Sequence, residues 1–199
     1  MIRNAIFDVA NVIVDWEPSR PLRGVLPDDQ IDSFLTSKEF WEINAAVDAG
    51  LSLAEASERV DRELPEQGHA YRVYQERFPM TVSGPVPGTE DVIDELLAAG
   101  VPTFGLSNWA AENFSVAREA APGIGRLADV IVSGEVGLAK PDEAIFRLAL
   151  ERFGLEASET VMIDDTVVNL DAAARVGLAT IHFTSAEQLR ADLVGLGLL

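Results

Sequence analysis

The residues of this chain that could do chemistry are Asp8, Ser107, Lys140 and the pair Asp164-Asp165. Asp8 closes a short apolar run that begins at Asn4. Ser107, followed by Asn108, closes the run from Val101 to Leu106, and Asp164-Asp165 closes the run from Thr160 to Ile163. Lys140 stands in the loop Gly137-Leu-Ala-Lys-Pro141 ahead of a helical pattern. Apolar runs of this length read as buried strands of a parallel sheet, whose carboxyl ends open on the ligand crevice. Four loops at one sheet edge would bring together a lone carboxylate, a hydroxyl, an ammonium and a carboxylate pair. That set suits displacement at a phosphoryl or acyl centre beside an oxygen-liganded Mg²⁺.

The elements that must position these groups follow from the periodicity. After the first strand the pattern is helical for about sixty residues, with stripes at Ile31, Phe34 and Leu35, and at Phe40, Trp41, Asn44, Val47 and Asp48. Ser52-Leu-Ala-Glu55 reads as a capping box opening a third helix. Tyr71, Tyr74 and Phe78 mark a fourth. Gly84-Pro-Val-Pro-Gly88 reads as a turn-forming linker that neither helix nor strand tolerates. From Thr89, expected to cap a helix, strand and helix alternate to the end. The expected fold is α/β, a Rossmann-like parallel sheet of about five strands flanked by helices. Residues 1–15 and 84–199 would form the core, and 16–83 a helical cap inserted after strand 1.

Composition narrows the chemistry. The chain has no cysteine and two histidines, His69 and His182, so any metal should be held by oxygen. Its 33 acidic against 15 basic residues repel nucleic acid and anionic lipid alike. No apolar run reaches the length of a membrane span, and no secretory pattern precedes Asp8, so a cytoplasmic monomer or homodimer acting on a small molecule is expected. Lysine occurs only at positions 38 and 140, so the ammonium at 140 is informative. Ser107 is no serine-hydrolase elbow, because Trp109 stands where Gly-x-Ser-x-Gly needs its second glycine. Taken singly, Asp8 also fits a strand-end cap, Ser107-Asn108 a helix cap, and Asp164-Asp165 a helix N-terminal pair. Trp16, Trp41 and Trp109 fit core packing as well as substrate contact.

In order along the chain, Phe7-Asp8-Val-Ala-Asn-Val12, Gly105-Leu-Ser107-Asn108-Trp109, Ser133-Gly-Glu-Val-Gly-Leu-Ala-Lys140-Pro-Asp142 and Met162-Ile-Asp164-Asp165-Thr-Val-Val-Asn169 resemble the haloacid dehalogenase superfamily. The resemblance covers essentially the whole chain, cap included. It implies that Asp8 is the nucleophile and that Ser107 hydrogen-bonds the transferred group, helped by the start of the following helix. Lys140 would neutralise developing charge. Asp8, the Ala10 carbonyl, Asp164 and Asp165 would hold Mg²⁺, with Asn169 where the family often has a further carboxylate or amide. Asn108 and, on one face of a cap helix, Trp41, Asn44 and Asp48 are candidate substrate contacts.

One position departs from the pattern. Phosphatases resembling this chain usually carry a second aspartate two residues after the nucleophile, to protonate the leaving oxygen; here that residue is Ala10. Alanine there suits a metal-independent 2-haloacid dehalogenase, whose halide leaves unprotonated, or a non-catalytic metabolite-binding protein. The retained Asp164-Asp165 pair, which repels itself without a cation, favours the phosphatase. A branch acting on sugar 1-phosphates is similar in having a small residue there and keeping the acidic pair.

Overall fold

A computed structural model describes residues 1–199. In chain order the elements are β1 (Asn4–Phe7), β2 (Val14–Trp16), α1 (Asp28–Leu35), α2 (Lys38–Asp48), α3 (Leu53–Glu63), α4 (Gly68–Glu76) and β3 (Val82–Pro85). There follow α5 (Thr89–Ala98), β4 (Thr103–Ser107), α6 (Phe114–Ala120), β5 (Val130–Val132), α7 (Ser133–Val136) and α8 (Glu143–Phe153). The chain closes with β6 (Thr160–Asp164), α9 (Val167–Val176), β7 (Ala179–His182) and α10 (Ala186–Leu196).

Five strands form one parallel sheet in the order β5-β4-β1-β6-β7. The first strand is therefore central, and the order reverses on either side of it, which opens a crevice beyond its carboxyl end. Side chains alternate between two apolar cores. Ala5, Phe7, Val161 and Ile163 pack on one face, and Ile6, Leu106, Ile131 and Met162 on the other. A sheet buried on both faces explains why its strands read as continuous apolar runs.

The helical insert has its own core, in which Leu22, Phe34, Phe40 and Tyr74 meet, the Phe34 and Phe40 rings at 4.1 Å and Phe40 and Tyr74 at 5.7 Å. Ser52 and Glu55 form the expected capping box, and Ser185 caps α10. No helix is long and apolar enough to cross a membrane.

Two local expectations are corrected. Gly84 and Pro85 lie in a strand, β3, which pairs antiparallel with β2 where the chain leaves and re-enters the sheet domain. Proline is tolerated because this ribbon has two strands and hence free edges. Arg20 fastens the ribbon, bonding Asp15 Oδ2 at 2.5 Å and the Thr81 carbonyl at 2.9 Å, while Ser83 also donates to Asp15. Thr89 is the first residue of α5 and gives no side-chain cap; Gly88, left-handed at φ 82°, takes the N-cap position.

Candidate active site

Asp8 follows β1 directly, so its carboxyl sits at the crevice, 6% exposed. Its Oδ1 accepts the Val9 N–H at 2.6 Å and lies 2.9 Å from Lys140 Nζ. Both contacts fall on Oδ1. Oδ2 has no hydrogen bond within the chain, which leaves it available to attack. The next residues turn sharply: Asn11 adopts φ 58°, a left-handed conformation that asparagine tolerates, and its Oδ1 accepts the Trp16 N–H at 3.1 Å.

Lys140 is buried and bridges two acids, reaching Asp164 Oδ2 at 2.6 Å as well as Asp8. Asp164 is held further by the Thr166 N–H at 2.8 Å and by Asn169 Nδ2 at 3.1 and 3.2 Å. Burial works against the Lys140 charge, but the two carboxylates outweigh it and keep its pKa above the ordinary value. Burial likewise pushes Asp8 up to about 7, with Lys140 pulling the other way. Asp165, half-buried, is raised by burial and then by the neighbouring Asp164 charge.

One oxygen from each of Asp8, Asp164 and Asp165 lies within 4.8 Å of the others. The donor set is all oxygen, and the Ala10 carbonyl beside it accepts no backbone hydrogen bond. Three carboxylates against one ammonium leave an excess of two negative charges when ionised. A divalent hard cation fits that set in charge and in ligand type.

Above this floor lies a cavity of about 390 Å³, between core and insert. Of the residues singled out in the sequence, Asp8, Ala10, Asn108, Lys140 and Asp165 line it from below, and Trp41, Asn44 and Asp48 from above. Trp41 meets Trp16 edge to face at 6.4 Å, and its Nε1 donates to the Leu35 carbonyl at 2.7 Å. Ser107 and Asp164 do not line the cavity; both are fully buried beneath it. The Ser107 hydroxyl has no partner within the chain, as is also true of the buried Thr81, Thr89 and Thr103 hydroxyls, so this alone does not mark a ligand contact. The helix expected from about Ala110 starts only at Phe114, beyond a 3₁₀ turn at Ala111–Asn113, so it lends no N–H donors next to Ser107.

Asn108 is spent largely on the scaffold: its Nδ2 donates to the Lys140 carbonyl and its Oδ1 accepts the Lys140 N–H, both at 2.8 Å. Asn11, Tyr71, Tyr74, Gln75 and Asn113 also line the cavity and were not foreseen. Asn11, three residues past Asp8 in a small-residue turn, is the one with a readable signal. The others converge only through packing of α4 and the segment before α6. Asp15, the next acid after Asp8, points into the ribbon and not the cavity, and the Ser83 and Arg20 bonds hold its pKa below the ordinary value.

A family model described as haloacid dehalogenase-like hydrolase matches residues 2–177, and the chain belongs to that family. The chain spans less than half the length of the first curated relatives it matches. One relative, a phosphoserine phosphatase from Thermus thermophilus, is 34% identical over 52% of this chain and 39% of its own length. In structure the chain is similar to a HAD-like family hydrolase from Porphyromonas gingivalis, with TM-score 0.76, 23% identity and 98% of both chains covered. It is also similar to the magnesium complex of a HAD family enzyme from Bacteroides thetaiotaomicron, with TM-score 0.72, 18% identity and 92% and 94% covered. At these identities the two structures speak to the fold.

Proposed function

We propose that the chain is a Mg²⁺-dependent phosphatase of small phosphorylated metabolites, of the sugar-phosphate type, acting through an aspartyl-phosphate on Asp8. The observation that carries this is the floor, where three carboxylates converge and one ammonium bridges two of them, Asp8 and Asp164. The Thermus relative named as a phosphatase and the neighbour crystallised with magnesium support the same reading.

Asp8, the Ala10 carbonyl, Asp164 and Asp165 would hold the cation. When bound, Mg²⁺ would neutralise charge on the phosphoryl oxygens and orient them. The rest falls to the chain. Asp8 Oδ2, free of protein partners, attacks phosphorus while Lys140 holds Oδ1 and balances charge building on the transferred group. Ser107 is the donor to a phosphoryl oxygen that the family pattern implies; its hydroxyl is unpartnered but lies below the cavity, so this role rests on the resemblance. Lys140 is the only basic side chain lining the cavity, which suits a monophosphate and gives no second anion site. Amides at Asn11, Asn44, Gln75 and Asn113, set among the rings of Trp16, Trp41 and Tyr74, suit a hydroxyl-bearing alcohol portion.

The test is phosphate release from p-nitrophenyl phosphate and from a sugar 1-phosphate with Mg²⁺ present. Chelator and Asp8→Asn should each abolish it; activity indifferent to either rejects the reading. Ala10 favours one competing activity, metal-independent dehalogenation, and halide release from 2-chloropropionate in the presence of chelator would establish that instead.

A further inference from the structure

We propose that Asp48, at the end of insert helix α2, protonates the leaving oxygen and afterwards activates water, supplying from the insert what Ala10 lacks. This rests on the phosphatase reading above and names the acid–base residue of that reaction.

The placement comes first. Asp48 lines the same cavity as Asp8 and Lys140, on the opposite wall. The turn that follows α2 is pressed against the core: a Cβ on Gly50 would stand 3.5 Å from Gly137 Cα and 3.6 Å from the Gly134 carbonyl oxygen. Gly137 lies three residues before Lys140, so the end of α2 is seated beside the loop that carries the catalytic ammonium.

The carboxyl is arranged as an acid. Asn44 Nδ2 donates to Asp48 Oδ2 at 3.2 Å, and this is Asp48's one side-chain hydrogen bond in the chain. Oδ2 is thereby occupied as an acceptor, and Oδ1, without a partner in the chain, is the oxygen free to hold a proton. Asp48 is also the last residue of α2, whose final turn contains no basic residue. The negative end of the helix dipole therefore opposes its ionisation. Burial pushes its pKa up to about 7, against a smaller opposing pull from Lys140, which is where an acid–base residue works best. The ionisable groups that share the cavity with it are Lys140, Tyr71 and Tyr74 from α4, and Asp8 and Asp165 on the floor; no ionisable residue of α1, α3 or α7 lines the cavity. Asp15, the other nearby acid, is tied to Arg20 and Ser83.

The two steps balance. In the first, Asp8 Oδ2 bonds to phosphorus as the ester P–O bond breaks, and the leaving oxygen keeps that electron pair and takes the Asp48 proton. Alcohol, aspartyl-phosphate and an Asp48 carboxylate result. In the second, that carboxylate takes a proton from water as the water oxygen bonds to phosphorus and the P–O bond to Asp8 breaks. Inorganic phosphate leaves, with Asp8 ionised and Asp48 protonated again.

The experiment compares the full chain with its Asp48→Asn variant, in Mg²⁺, on phosphate monoesters running from p-nitrophenyl to simple alkyl. A thermal melt verifies that the variant folds. For alkyl esters kcat/KM should fall by about 10²–10⁴, and dependence on leaving-group basicity should steepen. With p-nitrophenyl phosphate, whose leaving group needs little acid, the variant should give a burst of about one nitrophenolate per enzyme and then slow turnover, because loss of the base delays hydrolysis of the aspartyl-phosphate. The alkaline limb of the kcat/KM profile, which loss of the Asp48 proton sets, should vanish, while the acid limb set by ionisation of Asp8 remains. No loss, or an equal loss on every ester without a burst, overturns the proposal while leaving the phosphatase intact. A wild-type chain that releases no phosphate from any ester, or whose release survives Asp8→Asn, overturns both.

Discussion

Asn108 holds Lys140 by its backbone from both sides, taking its N–H on Oδ1 and giving Nδ2 to its carbonyl, each at 2.8 Å. The residue after the β4 serine thus sets where the ammonium stands between Asp8 and Asp164. Asn108→Ala strands a backbone donor and acceptor in a half-buried place, at a cost of about 1–3 kcal/mol. Denaturant unfolding should show that loss, and kcat should fall more than KM rises, because Lys140 and not the substrate has lost its support.

Lys140→Met removes the one positive charge among buried carboxylates. Breaking such a network typically costs about 3–5 kcal/mol, since the acids keep their hydrogen bonds but lose the one cation that balances them. The deficit, measured by urea unfolding across pH, should shrink toward acid, where Asp8 takes up a proton. Activity should fall by about 10²–10³ or more.

Mg²⁺ should raise the melting temperature. A ligand at one hundred times its dissociation constant adds about 2.7 kcal/mol, and here binding also removes the mutual repulsion of the carboxylates. Asp165→Asn should need several-fold more Mg²⁺ for the same shift, as read from melts over a Mg²⁺ titration. Ca²⁺, larger and less demanding in geometry, should stabilise without supporting turnover.

Asp48 predicts a pH signature of stability. Its folded pKa of about 7 lies above the ordinary 3.8, so between these values the folded chain holds a proton that the unfolded chain has released. Stability contributed by this group is therefore complete below the lower value and is lost as pH rises through the upper one. Asp48→Asn lacks this titration. Its melting temperature should match the wild type near pH 4 and exceed it by a few degrees above about pH 7.5. Equal melting temperatures at both ends would show that Asp48 is not held protonated.

The reactive floor was readable in the sequence because it obeys a local rule. Asp8, Ser107 and Asp164 each end or follow an apolar run, and parallel strands put such ends at one edge. The insert was readable as helices, since Ile31, Phe34 and Leu35 on one helix, and Phe40, Asn44 and Val47 on the next, keep helical spacing. What stayed hidden depends on distant partners. The β2–β3 ribbon joins Val14 to Pro85 across the whole insert, and Gly84-Pro85 carries a local turn signature that pairing overrides. Asn108 has the composition of a substrate contact or helix cap, and only the approach of the Lys140 loop shows its use. Tyr71, Gln75 and Asn113 reach the cavity through helix packing, for which no residue spacing codes.

The tryptophans have a practical consequence. The chain contains three, and Trp16, Trp41 and Trp109 all line the cavity, Trp16 in the ribbon, Trp41 on the insert and Trp109 just beyond β4. Indole emission from the unlabelled protein therefore originates entirely at the walls of one chamber, with no background from elsewhere in the fold. Quenching or a spectral shift on adding phosphate, a phosphoryl mimic or an unreactive ester would report occupancy directly, and stopped-flow fluorescence could time substrate entry separately from turnover.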